Sequence, residues 1–300
     1  MNGLYEYLVG RLRTGARFAA DKPDETPEST LRALWSAAAG APRSVTASPL
    51  PLQNLSAGQA RALEDLVAKR LNGEPLAYLI GRQEFMGREF LTAPGALIPR
   101  RETEILGYAI VELLRARGAG AQPVRILDLC TGSGNLAVAL ALEAPRSLVW
   151  ASDLEADALA VARLNIGHHD VADRVTLAQG DLFGAIAELA PPPAPFDIIS
   201  CNPPYIPSHK AANMPVEVGG FEPKAAFDGG DFGLSILFRL ISEAPAYLVP
   251  GGWLCFELGA GQERLVSKRL STQGRYDEIR PVHDSHGTAR ALLARTHHAE

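Results

Sequence analysis

Cysteine is scarce in this chain: Cys130, Cys201 and Cys255 are its only three, and none sits at the short spacing of a metal knuckle. An odd number placed in or beside apolar runs fits a reducing compartment better than a disulfide framework. No apolar run approaches the ~20 residues of a membrane helix. The start, Met1-Asn-Gly-Leu, lacks the basic-then-apolar layout of a signal peptide, so the expected location is cytoplasmic. Basic excess is missing as well: Lys and Arg number 29 against 34 Asp and Glu, a net charge of −5. That excludes bulk, sequence-independent binding of nucleic acid, which needs a basic footprint. No metal set stands out: His168 and His169 end a helix, and the spacing of His283 and His286 gives no tetrahedral set. There is no internal repeat. What is present, 47% hydrophobic and 21% charged residues over 300 positions, is the composition of a globular chain of two domains.

Residues 1–75 read as helical. Leu4, Tyr5, Leu8 and Leu12, then Leu31, Leu34 and Trp35, recur at helical spacing. Links run from Asp21 to Thr30 and from Ala41 to Leu55, the second carrying Pro42, Pro49 and Pro51. Ser56 and Gln59 make a capping-box pattern before the apolar stripe Leu63, Leu66, Val67, Leu71, and Gly73 then marks the helix end. No chemistry is visible in this stretch, which is expected to form a helical domain. Residues 76–100 differ: apolar and polar residues alternate on both sides of Gly87, which predicts a linking β-hairpin.

From 101 to 300 strand and helix alternate. Strands are predicted at 124–130, 148–153, 174–179, 196–201 and 252–257, with helices near 102–117, 135–142, 156–166, 184–189 and 233–247. A closing antiparallel pair is predicted at 276–282 and 289–295. This pattern implies an α/β fold with a parallel sheet covered on both faces.

Two motifs carry chemistry. In Asp128-Leu-Cys130-Thr131-Gly132-Ser133-Gly134 a glycine loop follows a strand, where ligands of open parallel sheets bind. Gly132, Gly134 and Ala137 also satisfy the dinucleotide pattern, and Asp153 ends the next strand, so either cofactor's ribose would find an acceptor there. The loop alone does not separate the two cofactors. Asp128 favours a cationic methionine moiety over a pyrophosphate, which it would repel. Asp181, after the third strand, has two readings: acceptor for an adenine amino group with Leu182 or Phe183 against the ring, or helix N-cap.

The second motif is Asn202-Pro203-Pro204-Tyr205 at the end of another apolar run. An amide or aromatic amine is a poor nucleophile because its lone pair is delocalised. A catalyst must aim that lone pair at an electrophilic methyl carbon. The Asn202 oxygen and the Pro203 carbonyl are suited to accept the two N–H groups. Proline keeps the turn stiff, and the Tyr205 ring offers a flat surface to a flat acceptor. Together the motifs imply methyl transfer from S-adenosylmethionine to a planar nitrogen. Glu257 is read as shaping a sheet edge, Glu222 as a buttress or base, and Asp284 with Arg290 as a structural pair.

These motifs, with Gly73-Glu-Pro-Leu-Ala-Tyr-Leu-Ile-Gly81, Leu97-Ile-Pro-Arg-Arg-Glu-Thr-Glu104, the stretch 221–230 and Gly251-Gly-Trp-Leu-Cys-Phe-Glu-Leu-Gly259, resemble the HemK/PrmC-type protein N5-glutamine methyltransferases. The resemblance spans residues 73 to about 295. It implies a Rossmann-like class I methyltransferase sheet of seven strands, the last antiparallel, behind an N-terminal helical substrate-recognition domain. It implies S-adenosylmethionine as cofactor and, as partner, a peptide chain release factor methylated on the glutamine of its Gly-Gly-Gln motif. Membrane and direct nucleic-acid partners are not expected. By position, Thr131, Gly132, Gly134, Asp153 and Leu182 would line the cofactor, Asn202 would touch cofactor and substrate, and Pro203, Pro204 and Tyr205 would hold the amide. The Pro99–Glu104 segment would close over the pocket. Arg101 stands where the family usually has proline, and Asn135 is less usual. Cys130 replaces the usual glycine, as in sister enzymes acting on a large-subunit ribosomal protein. That ribosomal protein is the alternative substrate, and adenine-N6 methylation of nucleic acid is the other alternative chemistry.

Overall fold

The computed structural model of the chain describes residues 2–19, 22–48, 51–118 and 122–298. The expectations placed on Asp21 and Pro49 lie outside them. The chain forms two compact units: Met1–Pro94 with Met214–Glu222, and Gly95–Asn213 with Pro223–Glu300.

In the first unit, α1 (Asn2–Gly15), α2 (Pro27–Ala38) and α3 (Ala57–Leu71) bury Leu8, Leu12, Leu31, Leu34, Trp35, Leu63 and Val67 together. The Ser56–Gln59 capping box opens α3, and a second box, Thr26 with Ser29, opens α2. A short helix, α4 (Leu76–Ile80), follows. Five residues are too few for a helical period to show in the sequence, which is why it was not anticipated. The hairpin β1 (Arg82–Phe85) and β2 (Arg88–Leu91) turns at Met86 and Gly87, both with positive φ, as a two-residue turn between twisted strands requires. It belongs to this unit and is not a separate link. Thr92 ties its end to α4, with N–H to the Gly81 carbonyl at 3.2 Å and Oγ1 to the Ala77 carbonyl at 2.7 Å. The first unit runs to Pro94 and so takes in the hairpin.

Met214–Glu222 also joins this unit, which no pattern in the sequence announces. Its Glu217 is gripped by Lys22 and by buried Arg70, whose Nη1 lies 3.1 Å from Glu217 Oε2. Burial pushes the Glu217 carboxyl up, but the Lys22 and Arg70 charges outweigh it and hold it below its ordinary range.

The second unit opens with α5 (Arg101–Arg117) and continues as a sheet with α6 (Asn135–Glu143) and α7 (Ala156–His168) among its helices. The strands are β3 (Arg125–Leu129), β4 (Leu148–Asp153), β5 (Val175–Gln179), β6 (Phe196–Cys201), β7 (Leu248–Glu257), β8 (Tyr276–His283) and β9 (Ala289–Thr296). Their order is β5-β4-β3-β6-β7-β9-β8, with β3 to β7 parallel and β9 antiparallel to both neighbours. Apolar runs such as Phe196–Cys201 are buried throughout, as a sheet covered on both faces demands. The chain steps from β3 to β4 on one side and later to β6 on the other. The carboxyl ends of β3 and β6 thus flank the topological switch point, where a crevice opens. No helix among the described residues is long and apolar enough to cross a membrane.

Candidate active site

That crevice is a cavity lined by Asp128, Cys130, Thr131, Gly132, Ser133, Asp153, Asp181, Leu182, Asn202 and Pro204, together with Pro99, Arg100 and Thr103. Both sequence motifs therefore face one space.

The end of β3 builds the first wall. Asp128 is buried and takes two hydroxyl donors, Thr131 Oγ1 at 2.6 Å and Ser200 Oγ at 2.7 Å. Burial raises its pKa to about 6 despite those bonds. Its first task is therefore to hold the loop to β6. Ser200, the donor on β6, was not picked out from the sequence because a serine inside an apolar run carries no pattern. Asp153 at the end of β4 spends one lone pair of each oxygen on backbone: Gly132 N–H at 2.8 Å and Glu155 N–H at 3.0 Å. Burial raises its pKa too.

Gly132 has positive φ, and a Cβ placed on it would meet nothing within 4 Å. A side chain there would stand in the cavity instead of against protein. Gly134 does otherwise. A Cβ on it would lie 3.0 Å from the Ala162 Cβ, so this glycine lets α6 and α7 approach, and it does not line the cavity. Cys130 adopts φ 53°, a conformation that favours glycine, and it lines the cavity beside buried Cys201. Leu182 also has positive φ. Asp181 is paired with Arg239 at 2.9 Å and does not cap the short helix Gly184–Ala187, which has no side-chain cap.

The end of β6 builds the facing wall. Asn202 Nδ2 donates to Thr103 Oγ1 at 3.0 Å. Pro203 is buried, and neither it nor Tyr205 lines the cavity. The Tyr205 hydroxyl donates to Glu257 Oε1 at 2.7 Å, and its ring packs on the core. Burial, then the Glu257 charge, pushes its pKa well up. Glu257 is not at a sheet edge. It ends β7, between β6 and β9, is 2% exposed, and its pKa is raised to about 7 by burial. Besides Ser200, sequence reasoning missed Thr103 and the part that Glu257 plays beside it. Their link to Asn202 is made by folding alone, and no short-range spacing announces it.

The loop after Tyr205 is clamped by a second one. Ile206 N–H bonds the Phe227 carbonyl at 2.9 Å, and Gly229 N–H bonds the Ile206 carbonyl at 2.8 Å. A Cβ on Gly233 would fall 2.1 Å from the Tyr205 carbonyl oxygen, so only glycine lets these backbones meet. Gln262 Nε2 reaches that same carbonyl at 3.1 Å. Glu222 is buried but belongs to the first unit. Asp284 and Arg290 pair at 2.9 Å, as expected. No cluster of metal-ligating side chains occurs among the described residues.

A sheet in this strand order, with a glycine loop after β3 and an acid ending β4, defines the class I methyltransferases, whose cofactor is S-adenosylmethionine. The cavity fits that group. Asp128, Asp153, Glu155 and Asp181 outnumber the single Arg100, which suits a sulfonium and repels a pyrophosphate. Leu97, Ile98, Leu136, Leu154, Leu182 and Ile236 supply an apolar slot for a flat base.

Comparison with known proteins agrees. Residues 12–81 match the PrmC N-terminal domain and 108–217 the Methyltransferase small domain. A release factor glutamine methyltransferase of Geobacter sulfurreducens is 40% identical over 73% of this chain and 73% of its own. One from Bradyrhizobium diazoefficiens is 36% identical over 90% of this chain and 89% of its own. Among solved structures, a methyltransferase from Pyrococcus furiosus aligns with a TM-score of 0.50 at 18% identity, over 79% of this chain and 100% of its own. The N-terminal domain of human METTL16 in complex with SAH aligns with a TM-score of 0.51 at 16% identity, over 77% of this chain and 82% of its own. Those two establish the fold. The curated relatives establish the family: the chain belongs to the release factor glutamine methyltransferases.

Proposed function

We propose that this protein transfers a methyl group from S-adenosylmethionine to the side-chain amide nitrogen of the glutamine in the Gly-Gly-Gln motif of a peptide chain release factor. The observation that carries the reading is the shared cavity, where the glycine loop and Asn202 line one space. The cofactor supplies a methyl carbon made electrophilic by a sulfonium, so the transfer needs no metal.

The chain's own residues bind and orient. Thr131, Gly132, Ser133 and Leu182 hold the cofactor, with Asp128 and Cys130 shaping the loop. Asp153 accepts from the ribose hydroxyls with the lone pairs left over from backbone, and Asp181 stands at the base end. Because Asn202 Nδ2 is given to Thr103, its Oδ1 is the atom offered to the acceptor N–H. The Pro203 carbonyl takes the second N–H, and Pro204 walls the amide. Tyr205, bonded to Glu257, keeps the turn in place. With both N–H groups held, the nitrogen lone pair points along one line, and much of the barrier is met by orientation.

In this reading the helical first unit recognises the release factor. No nucleic acid takes part, consistent with the net charge of −5, and the protein works in the cytoplasm, where termination occurs.

The test is mass spectrometry of a purified release factor incubated with enzyme and cofactor. A gain of one CH2 on the Gly-Gly-Gln peptide is expected. No gain there, with a gain on a ribosomal protein, would move the substrate to the alternative that Cys130 raises.

A further inference from the structure

Behind the cavity two side-chain hydrogen bonds, Asn202 to Thr103 and Tyr205 to Glu257, meet in a line where Thr103 stands beside Glu257. Asn202 Nδ2 donates to Thr103 Oγ1 at 3.0 Å, on the first turn of α5. The Thr103 hydroxyl stands next to the Glu257 carboxylate and interacts with it. Tyr205 donates to Glu257 Oε1 at 2.7 Å. Thr103 and Glu257 are 3% and 2% exposed, so water does not compete for these groups. Glu257 Oε2 is closed off from solvent with no hydrogen-bond partner of regular geometry among the described residues. A buried carboxylate oxygen left without a partner is costly, and such an atom calls for an explanation.

We infer that Glu257 is a positioning residue that sets the polarity of this line, and through Thr103 decides which face of the Asn202 amide meets the acceptor nitrogen. The inference rests on the reading above, in which Asn202 Oδ1 accepts an acceptor N–H.

The argument is one of counting protons. An ionised carboxylate only accepts. Facing it, Thr103 spends its single hydroxyl hydrogen on Glu257. The threonine oxygen is then left as an acceptor, and the only donor Asn202 can offer it is Nδ2. Oδ1 is thereby turned to the cavity. With a proton on Glu257 Oε2, the line reverses. The carboxyl donates to Thr103, Thr103 donates to Asn202 Oδ1, and Nδ2 faces the acceptor. A donor then confronts a donor, and the acceptor NH2 is not held. Tyr205 donates to Oε1 in both states, so the turn stays in place while the amide reverses.

The groups that face Glu257 are few. Glu102 of α5 raises its proton affinity, and Arg290 of β9, already paired with Asp284, lowers it. Tyr205 is neutral throughout, its own pKa being pushed well up. Burial is the largest influence and brings Glu257 to about 7. The switch therefore lies within reach of ordinary assay conditions.

The experiment measures kcat and KM for a purified release factor across pH, with cofactor affinity by calorimetry, for wild type, Glu257→Gln, Thr103→Val and Thr103→Ser. In wild type, kcat rises with pH through a midpoint of about 7. Glu257→Gln keeps a carbonyl for Tyr205 but presents an NH2 to Thr103, so it holds the reversed polarity at every pH. Its kcat is expected to be low by about 10- to 100-fold, the scale for groups that orient a catalytic residue, and flat through that midpoint. Thr103→Val cuts the line and also flattens the profile, and Thr103→Ser restores it. Cofactor affinity is unchanged in all three, which separates reversal from misfolding. A Glu257→Gln enzyme with wild-type kcat, or one that keeps the wild-type midpoint, would overturn the inference while wild-type transfer leaves the substrate reading standing. Wild type that methylates no Gly-Gly-Gln glutamine at any pH removes both.

Discussion

Asn202 at the end of β6 and Thr103 in the first turn of α5 are 99 residues apart in sequence and 3.0 Å apart in space, Nδ2 to Oγ1. That contact gives the amide a direction. A free asparagine turns either face to a ligand, whereas this one has its nitrogen committed. In the function proposed above, the remaining oxygen is the atom that accepts an N–H of the glutamine amide.

The Asp153 carboxylate anchors the glycine loop through Gly132 N–H at 2.8 Å and also lines the cavity. Replacing Asp153 with Ala removes a charge-assisted bond, worth roughly 1.5–3 kcal/mol. Calorimetry is expected to show cofactor affinity weakened about tenfold or more, with kcat at saturating cofactor much less affected. Unchanged affinity would remove Asp153 from the cofactor site.

Gly233 tests the clamp on the second motif. A Cβ there would sit 2.1 Å from the Tyr205 carbonyl oxygen, and neither backbone yields cheaply. Gly233→Ala is expected to cost about 1–3 kcal/mol of stability and to lower kcat while cofactor affinity holds. Urea unfolding and steady-state kinetics read the two effects.

Arg70 tests the first unit. Its guanidinium is buried between Glu25 Oε2 at 3.3 Å and Glu217 Oε2 at 3.1 Å. Arg70→Met leaves the half-buried Glu25 and Glu217 carboxylates to Lys22, so the cost is expected to fall below the about 3–5 kcal/mol of a fully broken buried pair, read as a lower urea midpoint. Because the Glu217 pKa is depressed in the folded chain, its contribution is present above the unfolded value and lost as pH falls through the folded one. In Arg70→Met that acid-side loss becomes shallower.

Stability on the other side of the scale follows from Asp128 and Glu257. Burial holds them at about 6 and about 7, above the unfolded carboxylate values. The native chain thus keeps protons that the unfolded chain has released. Their contribution is full below the unfolded values and is lost as pH rises through the folded ones. Thermal unfolding of wild type is expected at lower temperature at pH 8 than at pH 5 from these two groups. In Glu257→Gln, which carries no charge to bury, that drop shrinks. An undiminished drop in the variant would place the titration elsewhere.

Much of the sheet was legible because parallel strands buried on both faces read as unbroken apolar runs: Leu148–Asp153 and Phe196–Cys201 match their predicted limits. β7 begins at Leu248, before its predicted start at Gly252, because Pro250-Gly251 reads as a turn while the sheet absorbs it with a register shift. The candidate site was legible only where chemistry is local in sequence. The glycine loop and Asn202–Tyr205 are each contiguous, so their residue types are visible together. Thr103, Ser200 and Glu257 act through partners on other elements, and Glu257 in particular was assigned to an edge that β9 covers. The Met214–Glu222 segment was missed for the same reason, since Glu217 meets Lys22 and Arg70, and Val216 meets Gly73, only in the fold.

The most direct test of the account is Asn202→Ala, measured for cofactor affinity by calorimetry and for single-turnover methyl transfer to a release factor. Cofactor affinity close to wild type with transfer reduced by about 100-fold or more is predicted, because the lost group acts on the acceptor in the transition state. Wild-type transfer by that variant would contradict the account.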